Sequence, residues 1–119
     1  MLLCVERKKS KYKMNEIEKY EKRLEQVIVF KKLIEKYGNK QITICIEEMS
    51  ELTKALCKYL RNCDCDLEKM IAIDDIYEEM ADVYIMLMQM EMLLKIDADI
   101  LDDMIDKKIQ RTKERLLDN

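Results

Sequence analysis

The chain has 119 residues with one glycine, no proline and no histidine, and 49% of it is hydrophobic against 39% charged. That composition suits one helical domain with few tight loops. The absence of histidine excludes Ser/His/Asp and Cys/His nucleophilic systems, Glu-x-x-His di-iron bundles and Cys2His2 zinc sites, each of which needs an imidazole. With 25 acidic residues against 22 basic ones the net charge is −3, so the chain has no general attraction for the nucleic-acid backbone, and nucleic acid is not the expected partner.

Met1 to Val5 is too short for a signal-peptide core, and the longest later apolar run, Val83 to Met88, is too short to span a bilayer. The expectation is a soluble, cytoplasmic protein with no membrane partner. Cys4, Cys45, Cys57, Cys63 and Cys65 are then reduced thiols. The last three match no standard pattern of zinc ligand pairs.

In chain order, the run Arg7 to Lys13 carries five positive charges with no apolar period, and residues 1–14 read as a flexible basic tail ahead of a single domain over 15–119. A first helix begins near Asn15 and carries Ile17, Tyr20, Leu24, Val27, Ile28, Ile34 and Tyr37 to a stop at Gly38-Asn39. A second covers about Lys40 to Asn62, with Ile44, Leu52, Ala55, Leu56 and Tyr59 on one stripe. Asp75 and Glu78 have capping-box spacing, so the main body of a third helix is expected there, running to about Lys95 after an irregular or short helical approach from Leu67 to Ile73. A fourth, capped by Asp97 or Asp99, shows an apolar edge of Leu101, Ile105, Ile109 and Leu116. The fold class is therefore all-α, a four-helix bundle. Its third helix is apolar nearly all round from Val83 to Leu94 and should be the most enclosed, with methionines filling gaps in the core.

Acids interrupt two of these apolar seams. Glu48 and Glu51 stand three residues apart, about 60° around a helix, and Glu79 and Asp82 repeat the spacing on the third helix. If the two turns face each other, four negative charges meet in a partly dry space and need a cation. With oxygen ligands only, the fitting ions are Mg2+ or Mn2+, while Ca2+ suits the chain less because it has no EF-hand-like loop. Glu47 and Glu78 precede the pairs on faces about 100° away. Surface acids are the bland reading of any single such pair; two pairs on adjacent seams are harder to dismiss. On the fourth helix Lys108, Arg111 and Arg115, with Thr112 between, form a stripe able to hold phosphates, or one that merely suits a helix C-terminus.

The segments Glu47-Glu48-Met49-Ser50-Glu51-Leu52 and Glu78-Glu79-Met80-Ala81-Asp82-Val83 resemble the EExxEL and EExxDV motifs of the MazG-like all-alpha nucleoside triphosphate pyrophosphohydrolases, a family that includes dimeric dUTPases and dCTP pyrophosphatases. The stretch Tyr37-Gly38-Asn39-Lys40-Gln41 is also similar, and the likeness covers about Lys36 to Leu116. The resemblance implies a MazG-like bundle in which Glu48, Glu51, Glu79 and Asp82 hold Mg2+. Lys108 and Arg115 would bind substrate phosphates in a KxxxNxxR-like segment, with Thr112 standing where asparagine is usual. The implied reaction is hydrolysis of a nucleoside triphosphate to monophosphate and pyrophosphate, cleaning or regulating a nucleotide pool, with water attacking and Glu48 or Glu47 orienting or deprotonating it. Relatives form homodimers or homotetramers, and the same is expected here. The chain has no GxxxxGK[ST] loop. The competing expectation is a noncatalytic helical bundle that binds nucleotides or a partner protein along the same seams.

Overall fold

A computed structural model describes residues 13–61 and 64–118; the tail before Lys13, Asn62, Cys63 and Asn119 lie outside the described residues. Among the described residues there are four helices, α1 (Glu16–Tyr37), α2 (Lys40–Arg61), α3 (Asp66–Leu93) and α4 (Ala98–Asp118), and no strand. The all-helical expectation holds.

Local chemistry accounts for most helix ends. Asn15 Oδ1 accepts the Glu18 N–H at 2.8 Å and the Glu18 carboxylate accepts the Asn15 N–H at 3.3 Å, a capping box that opens α1. Gly38 closes it at φ 54°, ψ −131°, donating its N–H to the Ile34 carbonyl at 2.8 Å. A side chain there would meet nothing within 4 Å, so it is the backbone angle that asks for glycine. Lys95, at φ 53°, turns the chain after α3, and Asp97 rather than Asp99 caps α4, its carboxylate accepting the N–H groups of Asp99 and Ile100 at 2.9 and 3.2 Å.

The third helix departs from the sequence expectation. It starts at Asp66 after an extended Cys65, not at Asp75, and Leu67 to Ile73 are regular helix. Leu, Glu, Lys, Met and Ala in that stretch are all good helix formers, and burying Ala72 against the rest of the fold rewards the extra turns. Asp75, in mid-helix, faces Lys58 of α2 at 4.0 Å instead of capping.

The helices α2 and α3 are the main packed pair. They run antiparallel: Gln41 bonds Gln89, Glu48 meets Asp82 and Glu79, and Lys58 meets Asp75, so numbers rise along one helix as they fall along the other. The buried apolar side chains form a thin core of Phe30 from α1, Cys45 and Ala55 from α2, and Ala72 and Met86 from α3. The contact of α1 with the pair is short; its Ile17, Tyr20 and Val29 are exposed, and a cleft of about 280 Å3 separates Arg23, Gln26, Val27 and Phe30 from Met88 and Met92. No residue of α4 is buried. The radius of gyration, 18.0 Å, exceeds the roughly 13 Å of a compact domain near this length. The expectation that α3 is the most enclosed helix is met on one face only, since Met86 is buried while Tyr84 is 62% exposed.

Candidate metal centre

The antiparallel register brings three of the four sequence-predicted acids together. Carboxylate oxygens of Glu48, Glu79 and Asp82 all lie within 4.8 Å of one another. Glu48 and Glu79 are partly buried and Asp82 is exposed, so the cluster opens to solvent on one side. Helical geometry explains the selection. Asp82 lies seven residues, about two turns, before Gln89, and Glu48 lies two turns after Gln41, so the Gln41–Gln89 contact and the acid cluster share one register.

The fourth acid, Glu51, is one turn further along α2. It is exposed and lines a neighbouring depression of about 160 Å3 with Lys54, Ala55, Lys58, Asp75 and Glu79. Glu79 borders both places, and the charge of Glu51 is felt by Glu48 and by Glu79. Glu47 and Glu78 are exposed and outside the cluster, as their positions on the helices require.

The acids of the cluster raise one another's affinity for protons. Partial burial, then the charges of Asp82 and Glu79, a side-chain hydrogen bond with Asp82 and the charge of Glu51 push the Glu48 carboxyl above its ordinary 4.5. Partial burial and the charges of Asp82, Glu51, Glu78 and Asp75 do the same to Glu79. A carboxyl whose folded pKa is raised favours the fold in its neutral form. Its contribution is complete below the unfolded value and is lost as pH climbs through the folded one. The metal-free protein is therefore expected to lose stability as pH rises from the ordinary carboxylate range through the raised values, whereas saturating Mg2+ should reverse that trend because metal and protons compete for the same oxygens. Thermal melts across pH with EDTA or with Mg2+ test this; parallel curves under the two conditions would contradict it.

The donor set fits a hard divalent ion. Ligand oxygens on one octahedral Mg2+ stand at most about 4.2 Å apart, from a metal–oxygen distance of about 2.1 Å, so a small side-chain adjustment closes the triad. Three carboxylates and no nitrogen or sulfur donor among them favour Mg2+ or Mn2+ over zinc.

The predicted phosphate residues form a separate group. Lys108, Arg111, Thr112 and Arg115 together line a shallow depression of about 220 Å3 on α4. They do not line the depression beside Glu79. The Thr112 hydroxyl donates to the Lys108 carbonyl at 3.0 Å, so its proton is already engaged within the helix and only its lone pairs face outward. Of the three clustered cysteines, Cys57 and Cys65 are exposed free thiols, and Cys63 lies outside the described residues.

Two features escaped the sequence. Lys54 and Lys58 stand beside Glu51 and Glu79; their spacing of three and seven residues from Glu51 was a legible signal. The buried Gln41–Gln89 bond, at 2.7 Å, carried no motif at all. No helix among the described residues is long and apolar enough to cross a membrane. Comparison with known families, characterised proteins and solved structures gives no match for the chain.

Proposed function

We propose that this chain is a Mg2+-dependent nucleoside triphosphate pyrophosphohydrolase of the MazG-like kind, converting a nucleotide to its monophosphate and pyrophosphate in the cytoplasm. The observation that carries this reading is the convergence of Glu48, Glu79 and Asp82 from two adjacent helices, at the positions where the two acidic motifs resemble that family. Glu48, Glu79 and Asp82 hold the ion, with Mn2+ as an alternative, and Glu51 assists from the next turn. When bound, the metal supplies charge neutralisation for the triphosphate and acidifies a water.

The remaining roles belong to side chains of this chain. Lys108, Arg111 and Arg115 bind phosphate oxygens, the arginines by paired N–H groups and the lysine as a mobile charge. Glu48 or the exposed Glu47 beside it takes the proton of the attacking water. No side chain need act as a nucleophile. The active form is a homo-oligomer, because a lone copy leaves α4 and one face of α3 open to water.

Incubation of the pure full-length protein with a panel of ribo- and deoxyribonucleoside triphosphates and Mg2+ is expected to release pyrophosphate and monophosphate from at least one of them, and EDTA should stop it. Folded protein that turns over no nucleotide with either Mg2+ or Mn2+ would overturn the enzymatic reading and leave a noncatalytic helical module.

A further inference from the structure

Two depressions on α1 share a residue. Glu16, Lys19, Tyr20 and Arg23 line one of about 260 Å3, and Arg23 also borders the α1–α3 cleft of about 280 Å3, whose apolar walls are Val27, Phe30, Met88 and Met92. The positions from Glu16 through Arg23 to Phe30 recur every three or four residues, so the two depressions follow one stripe along α1. On that stripe Tyr20 is 65% and Val27 42% exposed. Apolar surface left open along a helix, beside so thin a core, marks an interaction surface.

The sequence ahead of α1 matches the stripe in length, order and charge. Met1 to Val5 are apolar, Glu6 is the one acid, and five cations follow between Arg7 and Lys13. From Lys13 to Arg23 is at most about 20 Å, three extended residues and seven helical ones, and the seven residues from Lys13 back to Glu6 span up to about 24 Å. Glu6 can therefore reach Arg23. That arginine has no ion pair among the described residues, whereas Lys19 is held by Glu16 at 3.4 Å. Leu3 comes three residues, about 10 Å, beyond Glu6, and Val27 to Phe30 lie about 6–10 Å beyond Arg23. One register thus sets acid on base and apolar on apolar. The tether decides between this segment and a free partner. A segment on a short linker faces its groove at an effective concentration on the order of millimolar, so contacts too weak to hold a separate molecule suffice. A second copy offering the same stripe antiparallel would set Arg23, midway along it, against another Arg23.

We propose that the segment 1–12 docks back along α1 of its own chain, pairing Glu6 with Arg23 and seating Leu2 and Leu3 among Val27, Phe30, Met88 and Met92. The segment is then a strap that ties α1 to α3 where the direct contact of the two helices is short. Phe30 is otherwise the one buried side chain that α1 contributes. The short apolar run at Met1 to Val5, too short for a signal peptide, gains a use as the anchor of that strap. The docking rests on neither the metal centre nor the proposed reaction, since no residue of the stripe belongs to the carboxylate cluster.

The test uses the full-length chain. A benzophenone, carried on p-benzoylphenylalanine at position 3, inserts readily beside a methionine sulfur, and irradiation should join that position to Met88 or Met92. In an equilibrated mixture of unlabelled and 15N-labelled protein those links should fall within one copy. Hydrogen exchange gives the second readout. Leu2→Asp/Leu3→Asp should speed exchange of the Gln26 to Phe30 amides about tenfold while leaving helix content unchanged, because both residues lie outside the four helices. Glu6→Arg or Arg23→Glu alone should speed it about threefold, and Glu6→Arg/Arg23→Glu together should bring it back to the wild-type rate. Links that miss the cleft or form only between copies, exchange in Leu2→Asp/Leu3→Asp equal to wild type, or a double charge reversal that exchanges as fast as the single ones would each overturn the proposal. None of these readouts uses turnover or metal, so a chain without pyrophosphatase activity would leave the docking standing.

Discussion

Glu48→Gln is expected to lower pyrophosphate release on the order of 100- to 1,000-fold, the usual loss when a group that fixes transition-state charge is removed. It should also lower Mg2+ affinity measured by calorimetry in the absence of nucleotide. Glu48 is the member of the cluster that comes from α2 alone, and losing it leaves Glu79 and Asp82 as a single-helix pair unable to bridge the two elements. Glu51→Gln should be milder, about 10- to 100-fold, because Glu51 acts on the cluster through its charge and not as one of the three converging groups. Equal losses for the two variants would place Glu51 among the ligands and redraw the site.

The same substitution should make the metal-free protein more stable. Burial and three neighbouring acids oppose the charge on Glu48, so a neutral isostere relieves the opposition at neutral pH. A rise in the melting temperature of metal-free Glu48→Gln over metal-free wild type, together with a loss of stabilisation by Mg2+, is the signature of a site that sacrifices stability for function. Wild type melting above the variant without metal would show that the cluster is not strained. The two measurements are independent, since one reads chemistry and the other reads the cost of holding like charges together.

What could be read from the chain alone follows from how local each signal is. Asn15, Gly38-Asn39 and Asp97 act within a few residues of themselves, and their stops and starts hold in the structure. Asp75 with Glu78 carried the same local signal and did not cap, because helix formers upstream and the burial of Ala72 outweighed it. The pairing of Glu48 with Glu79 and Asp82 depends on both helix periodicity and the register of one helix on another. Periodicity is written in the spacing of the acids. Register is not, and so the sequence could align four acids on two seams without saying that Glu51 would fall one turn outside the cluster. The placement of α4 was the least legible, because an amphipathic edge of Leu101, Ile105 and Ile109 says that a helix needs a partner and not which chain provides it.

The register itself has an identifiable device, and it supplies the second large effect. Gln41 and Gln89 are buried, and the Gln41 amide nitrogen donates to the Gln89 carbonyl oxygen at 2.7 Å across the α2–α3 seam. Among the described residues the Gln89 amide reaches only the Met86 sulfur at 3.6 Å, a weak acceptor, and Gln41 Oε1 has no hydrogen-bond partner. Gln89→Met therefore leaves a buried donor unpaired in addition to that oxygen, and should cost about 1–3 kcal/mol in urea unfolding. Gln41→Met removes the orphan oxygen along with the donor and leaves only the Gln89 carbonyl unsatisfied, so its cost should be smaller. Gln41→Met/Gln89→Met removes all the unpaired groups at nearly constant shape and should be at least as stable as the better single variant. Stability is then not what the pair contributes. Gln41 lies two turns from Glu48, and Gln89 two turns from Asp82, in opposite chain directions, so a bond between the amides holds the acids level across the seam. The double variant is accordingly expected to fold as well as wild type and to bind Mg2+ about tenfold more weakly. Unchanged metal affinity in that variant would mean that Ala55, Ala72 and Met86 set the register by packing alone.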